Sequence, residues 1–489
     1  MDETLGEIGT QPGRRRDGAR SARGGSPARP VRGGLWQMLE PRSVAVVGAS
    51  RREDSLGGRI LPILRQHGFP GEVYPVNPSR EQIGGERSYA SVSELPAVPD
   101  LALVVVAARA VPGVLEECAA AGVRHAVVLS SGFAERRDGT GAELQAALDA
   151  ARRRSGMRIL GPNCEGFINV PARAPLTFSP TVDLERALRR LPAPGDIAIV
   201  SQSGGLGFAL FNDGTDRELR FSHVVSTGNE CDVDATEVLG LLAGDAATSV
   251  VLCFVEGLAD PRRFAETARR ARLAGTAVVL AKVGRSGAAA RAALAHTAHD
   301  VGDEAAWSEA AGAAGCLVAT DQEELVDLGM ALSRAPRWGS GGVAVLTISG
   351  GAGAWAADAC AAQGLEVPLL DAATRASLRE LMPPYGAPDN PVDVTAGALA
   401  TGGVVRPLEI LLRRPEIGAA LVVGSFGGPK QLEIEGEELG RVVAGSGKPV
   451  VVYSYTRPGR ESVELLGQAG LAWYPTPARA ARALAALRA

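Results

Sequence analysis

Hydrophobic residues in this chain fall into short unbroken runs, each followed by a glycine-rich turn and an amphipathic stretch, and the alternation repeats from Ser43 to the C-terminus. Val44-Ala45-Val46-Val47 has no polar position to face water, so it reads as a strand buried on both faces. Gly48-Ala49-Ser50 follows, then a helix predicted from about Gly57 to His67. The same cycle predicts strands over 72–77, 101–106, 125–130 and 158–160, with a helix over 111–121. Buried strands alternating with helices give a doubly wound parallel sheet.

A second unit opens at Asp196 with strand Ile197-Ala198-Ile199-Val200 and the turn Ser201-Gln202-Ser203-Gly204-Gly205-Leu206-Gly207, which starts a helix running through Asp213. Further strands are expected at 221–225, 249–254 and 277–282, with a helix over 261–274. After a linker at 336–340, Val343-Ala344-Val345-Leu346 and Thr347-Ile348-Ser349-Gly350-Gly351-Ala352-Gly353 echo the opening of the second unit. Strands at 419–423 and 449–453 and a last helix over 476–487 complete the third. The second and third units read as an internal duplication of one flavodoxin-like domain.

Residues 1–33 lack any apolar period and are rich in Gly, Pro, Ser and Arg, which predicts a disordered basic leader. Asp2, Glu3, Glu7 and Asp17 interrupt it and argue against a transit peptide. The expected divisions are 1–33, 34–170, 171–335 and 336–489.

A net charge of −4 over 489 residues gives no footprint for nucleic acid or an anionic membrane. No run approaches the ~18 apolar residues of a membrane span. The six cysteines show no metal or CxxC spacing and no secretory signal precedes them, so they read as small buried hydrophobes in a cytoplasmic protein.

Candidate chemistry sits in the turns. The glycines after Ser203 leave backbone N–H groups uncovered at a helix N-terminus, where a phosphate binds naturally; close packing is the competing reading. The first turn lacks the G-x-G-x-x-G spacing for a dinucleotide, and Asn77 stands where an acid would hold a ribose hydroxyl. Arg51 and Arg52 beside it suit a ligand with an extra ribose phosphate, such as NADP or coenzyme A. Asn163-Cys164 offers a nucleophile without a neighbouring histidine. His296 lies on an alanine-rich segment, and Glu256 ends an apolar strand.

These landmarks, in this order, resemble the NDP-forming acyl-CoA synthetases, the superfamily of succinyl-CoA ligase and ADP-forming acetyl-CoA synthetase. The resemblance is carried by 43–50, 73–78, Gly161-Pro162-Asn163-Cys164-Glu165-Gly166, Val200 to Gly207, Ser226-Thr227-Gly228-Asn229, Val255-Glu256-Gly257, 282–286 and Ala295-His296-Thr297. It implies an α/β chain with a Rossmann-like CoA-binding domain followed by two succinyl-CoA-ligase-like flavodoxin domains, as in an α subunit. It further implies that acyl-CoA and phosphate yield an acyl phosphate and that His296 carries the phosphoryl group. Glu256 would orient the imidazole, and the turn at Ser203, Gly204 and Gly205 would hold the phosphate. Coenzyme A would lie against Gly48, Ala49, Ser50, Arg51, Asn77, Pro78, Ser130 and Gly132, with Asn163 beside the acyl group.

The nucleotide and Mg2+ are then expected on a separate ATP-grasp β-type partner in a hetero-oligomer. Ala298 replaces the glycine usual in the family's Ser-His-Thr-Gly, and His299 and Asp300 follow it. That change, and the missing ATP-grasp domain, keep a second reading open: a non-catalytic CoA- or acyl-CoA-binding regulator, which would bind CoA without ever being phosphorylated. A dinucleotide oxidoreductase is the third, separated from both by titration with NADPH against CoA.

Overall fold

The computed structural model describes residues 33–136, 138–184, 191–296, 302, 304–396 and 403–488, with residues 292–296, 304, 431, 433 and 434 described as backbone only. Residues 1–32 of the expected leader lie outside them.

Three sheets follow one another along the chain. The first contains β1 (Ser43–Val47), β2 (Glu72–Val76), β5 (Leu101–Val104), β6 (His125–Val128) and β7 (Arg158–Leu160); a two-stranded ribbon of β3 (Gln82–Ile83) and β4 (Glu86–Arg87) hangs beside it. Its order is β2-β1-β5-β6-β7, all parallel. The second sheet adds β8 (Gly166–Asn169), β9 (Ala174–Thr177), β10 (Ile197–Ser201), β11 (Phe221–Ser226), β12 (Val250–Val255), β13 (Ala277–Lys282) and β14 (Leu317–Ala319), ordered β14-β13-β12-β10-β11-β8-β9. The third comprises β15 (Gly342–Thr347), β16 (Val392–Asp393), β17 (Ile417–Gly424), β18 (Val450–Ser454) and β19 (Ala472–Tyr474), ordered β16-β15-β17-β18-β19.

Counted within each sheet, the parallel strands run 2-1-3-4-5 in all three, the flavodoxin order. Strand order therefore does not single out the second and third units as a pair; their opening turns do. Ser201 Oγ donates to Ser203 O at 2.5 Å, and Thr347 Oγ1 donates to Ser349 O at 2.8 Å, the same bond two residues along. A Cβ on Gly207 would come within 2.8 Å of Ser201 Cβ, and one on Gly353 within 2.7 Å of Thr347 Cγ2. In both, a helix seats its first turn on the preceding strand only because a glycine stands there.

The hairpin β8–β9 was not visible in the hydrophobic pattern. Both strands have four residues, are buried throughout and so do not alternate. It pairs antiparallel to β11, so the chain enters the second sheet at Gly166, while Asn169 Nδ2 ties it back to Leu39 O at 2.9 Å. The helix Gly139–Ser155 was likewise unmarked, its apolar residues being mainly alanines and its last turn carrying three arginines.

The segment 336–340 is packed rather than a free linker. Trp338 is buried and its indole N–H donates to Leu484 O at 3.1 Å. Between the second and third sheets the apolar core is continuous, from Phe208 and Leu252 to Leu421 and Tyr474. Through it runs a buried polar seam: Arg217 and Arg479 both pair with Asp327, and Tyr474 Oη donates to Asp327 O at 3.2 Å. The first and second sheets share another core, including Leu160, Phe167 and Val251. At its edge Arg158 bridges Asp232 and Glu237 at 2.9 and 2.7 Å. No described helix is long and apolar enough to cross a membrane.

Candidate active site

Parallel sheets gather their loops at the C-terminal ends of the strands, and a crevice forms where neighbouring connections leave in opposite directions. In the first sheet that place lies between β1 and β5. Gly48 leaves β1 with φ +96°, and a Cβ there would stand 2.6 Å from Val105 O. Gly57, opening the helix Leu56–Gln66, would place a Cβ 2.2 Å from Gly48 O. Two glycines thus let the turn Gly48-Ala49-Ser50 lie flat on the helix start.

Most of the residues expected to meet coenzyme A shape this crevice through internal bonds. Asn77 Nδ2 donates to Ala49 O at 2.8 Å, locking the ends of β1 and β2 together. Ser50 Oγ accepts from Arg52 N, Ser130 Oγ donates to Val106 O at 2.6 Å, and Arg51 Nε donates to Gln82 O at 2.8 Å. Arg52 is exposed and its guanidinium is taken by Asp54. Gly132 has φ +112°, and its N–H donates to Glu135, which also accepts from Phe133 N and Asn229 Nδ2. Pro78 lines a cavity of about 580 Å3 with Arg80 and Arg87.

The second sheet supplies the serine-glycine turn expected to hold phosphate. Ser203 caps the helix Gly204–Asp216, its Oγ accepting from Leu206 N at 3.5 Å, so the free amides of the first turn point outward at Gly204 and Gly205. These two glycines, Ser203, Glu256 and Asn163 line one cavity of about 230 Å3. Asn163, in the left-handed region at φ 56°, comes from the first sheet's last loop and donates to Asn229 Oδ1 at 3.2 Å. Gly228 permits that approach, since a Cβ on it would meet Pro162 O at 2.3 Å.

Two side chains that sequence reasoning did not single out organise this cavity. Gln202, 4% exposed, accepts at Oε1 from Glu256 N (2.6 Å) and Gly257 N (3.1 Å). Its Nε2 donates to Gly257 O (2.7 Å) and Glu230 Oε2 (2.9 Å). The serine-glycine turn thereby fixes the loop that bears Glu256. Glu165 leans over the helix start: its Cγ would lie 2.7 Å from a Cβ on Gly204. Burial pushes its carboxyl up from the usual range, against a hydrogen bond with Ser179. Gln202 had only its place inside the serine-glycine turn as a signal, and Glu165 only its place in the Gly-Pro-Asn-Cys segment.

His296 ends the helix Gly287–His296, whose start is held by Ser286 Oγ accepting from Ala289 N at 3.1 Å. Its imidazole lies outside the described residues, as do Thr297, Ala298, His299 and Asp300. Cys164 is buried, and desolvation pushes its thiol up to about 12, the wrong direction for a nucleophile. Asn390 is a backbone clamp. Its amide bonds Val345 N, Val343 O and Pro368 O, doing along β15 what a neighbouring strand would do.

Three family models match the chain: a CoA binding domain over 42–169, a succinyl-CoA ligase like flavodoxin domain over 194–332 and a Ligase-CoA domain over 343–428. The α subunit of acetate–CoA ligase [ADP-forming] I of Pyrococcus furiosus is 35% identical over 472 residues, spanning 93% of this chain and 97% of that one. The trans-feruloyl-CoA synthase FCS1 of an unknown prokaryotic organism is 33% identical over 92% of this chain and 64% of its own length. Among solved structures, the dinucleotide-forming acetyl-coenzyme A synthetase 1 of Ca. Korarchaeum cryptofilum, in complex with phosphate and ADP, superposes with a TM-score of 0.81 at 32% identity, covering 93% of this chain and 96% of that one. With such identity across nearly the whole of both chains, and with a CoA binding domain, a succinyl-CoA ligase like flavodoxin domain and a Ligase-CoA domain in that order, this chain belongs to the NDP-forming acyl-CoA synthetases as an α-type ligase component.

Proposed function

We propose that the chain works with a separate ATP-grasp partner to interconvert acyl-CoA, phosphate and a nucleoside diphosphate with carboxylic acid, CoA and the triphosphate. A phosphate oxygen attacks the thioester carbonyl, the C–S bond breaks, and CoA leaves as the thiolate while an acyl phosphate forms. A ring nitrogen of His296 then attacks phosphorus, the carboxylate departs, and the phosphohistidine passes its phosphoryl group to the diphosphate on the partner, with Mg2+ at that site.

In this reading the amides at Ser203, Gly204 and Gly205 take up negative charge that grows during transfer. Glu256, held by Gln202, receives the N–H of one imidazole nitrogen so that the other carries its lone pair outward. CoA lies along Gly48, Ala49, Ser50, Arg51, Asn77, Pro78, Ser130 and Gly132, with Asn163 at the acyl end. The observation that supports this best is the shared cavity, in which Asn163 from the CoA-binding sheet meets the phosphate turn and Glu256. The assembly is a hetero-oligomer working in the cytoplasm.

The test is labelling. Chain and partner given acyl-CoA and 32P-phosphate acquire an acid-labile, base-stable label on this chain, and His296→Asn does not. Label that persists in His296→Asn, or none in the wild type with a partner that hydrolyses ATP, overturns the phosphohistidine.

A further inference from the structure

We infer that Glu165 is a specificity-determining residue that admits only acyl groups without a second negative charge. The inference rests on the ligase reading above and extends it to the class of acid.

The cavity has two kinds of wall. Among the described residues that line it, the helix start at Gly204 is what favours an anion, and phosphate occupies that in the reaction proposed. Apolar Leu129, Phe178 and Leu56 line the rest together with the neutral polar Ser131, Asn163 and Asn229. Glu165 stands between the two, with Oε1 3.8 Å from the Cβ position of Gly205 and its carboxylate turned toward the buried Ser179. Among the described residues lining the cavity there is no Lys, Arg or His, while Glu256 adds a second carboxylate.

An acyl chain ending in a carboxylate would bring its charge against Glu165 in a half-buried place with no described cation to offset it, and like charges so placed repel strongly. An uncharged chain meets apolar and neutral polar groups, and neither carboxylate needs a counter-ion from it.

Calorimetric titration of the full chain with four-carbon thioesters tests this. Wild type is expected to bind butyryl-CoA at least about tenfold more tightly than succinyl-CoA, the effect of about 1.4 kcal/mol of repulsion. 4-Hydroxybutyryl-CoA, polar but uncharged, should side with butyryl-CoA. In Glu165→Gln, and separately in Glu165→Leu, the ratio should fall to within about threefold by a gain for succinyl-CoA. Equal binding of butyryl-CoA and succinyl-CoA by wild type, a hydroxyl penalised like a carboxylate, or a ratio that survives in whichever variant folds would each overturn the filter. Free CoA in the same titration keeps the two readings apart: no binding of CoA overturns the ligase reading itself, whereas CoA binding without discrimination overturns the filter alone.

Discussion

Gln202→Leu isolates the bond set that joins the serine-glycine turn to the Glu256 loop. Leucine keeps much of the shape but offers neither donor nor acceptor. Glu256 N and Gly257 N, both on buried residues, lose their acceptor at 2.6 and 3.1 Å, and Gly257 O and Glu230 lose a donor. A buried N–H left without a partner costs about 1–3 kcal/mol, so the two together come to about 4 kcal/mol. For a domain of roughly 150–250 residues each kcal/mol lowers the melting temperature by about 2–4 °C, which gives a fall of roughly 8–16 °C. Differential scanning calorimetry at neutral pH measures it. Labelling of His296 should fall with it, because Glu256 is no longer fixed. A variant that melts within about 2 °C of wild type would show that the loop holds itself, and the clamp would have to be abandoned.

Gly57→Ala should weaken CoA binding by on the order of tenfold or more in a direct titration, because its Cβ would sit 2.2 Å from Gly48 O and force the turn off the helix. Asp327→Ala leaves Arg217 and Arg479 without their common carboxylate, and urea unfolding should register a loss of about 3–5 kcal/mol. Since burial raises the Glu165 pKa above its unfolded value of 4.5, the folded state holds its proton more tightly, and the ionised side chain costs stability once the pH rises past 4.5. Glu165→Gln should therefore melt higher than wild type at pH 8 and lose that advantage by pH 4; an offset independent of pH would point to packing instead. Cys164, pushed up to about 12, is thiolate at roughly one part in 10⁴ at pH 8 and should resist iodoacetamide in the native protein while reacting once unfolded, as read by mass spectrometry.

What the sequence disclosed follows from the range of the forces involved. β13 spans 277–282 as expected, and β10 and the helix from Gly204 begin where Ile197 and the Ser203 cap place them, because hydrophobic runs and capping residues act over a few positions. Strands without a local signature escaped: β8 and β9 lack alternation, and the two-residue β16 exists because β15 accepts it at Leu346 and Thr347. In the site, Ser203, Gly204, Gly205, Glu256 and Asn163 were legible as motif residues, and the cavity contains all five. Gln202 and Glu165 take their meaning from partners far along the chain, 54 residues to Glu256 and about forty to Gly204, and no periodicity carries that information. Glu135, which occupies the amides of Gly132 and Phe133, was hidden for the same reason: its third partner, Asn229, lies 94 residues away.

The Asp327 seam sets a mechanical boundary condition for catalysis. Prying the second and third sheets apart would wet Tyr474 and strand two guanidinium groups beside one carboxylate, so those layers move as a single block. Whatever the ligase binds at its cavity is therefore received by a foundation that does not yield.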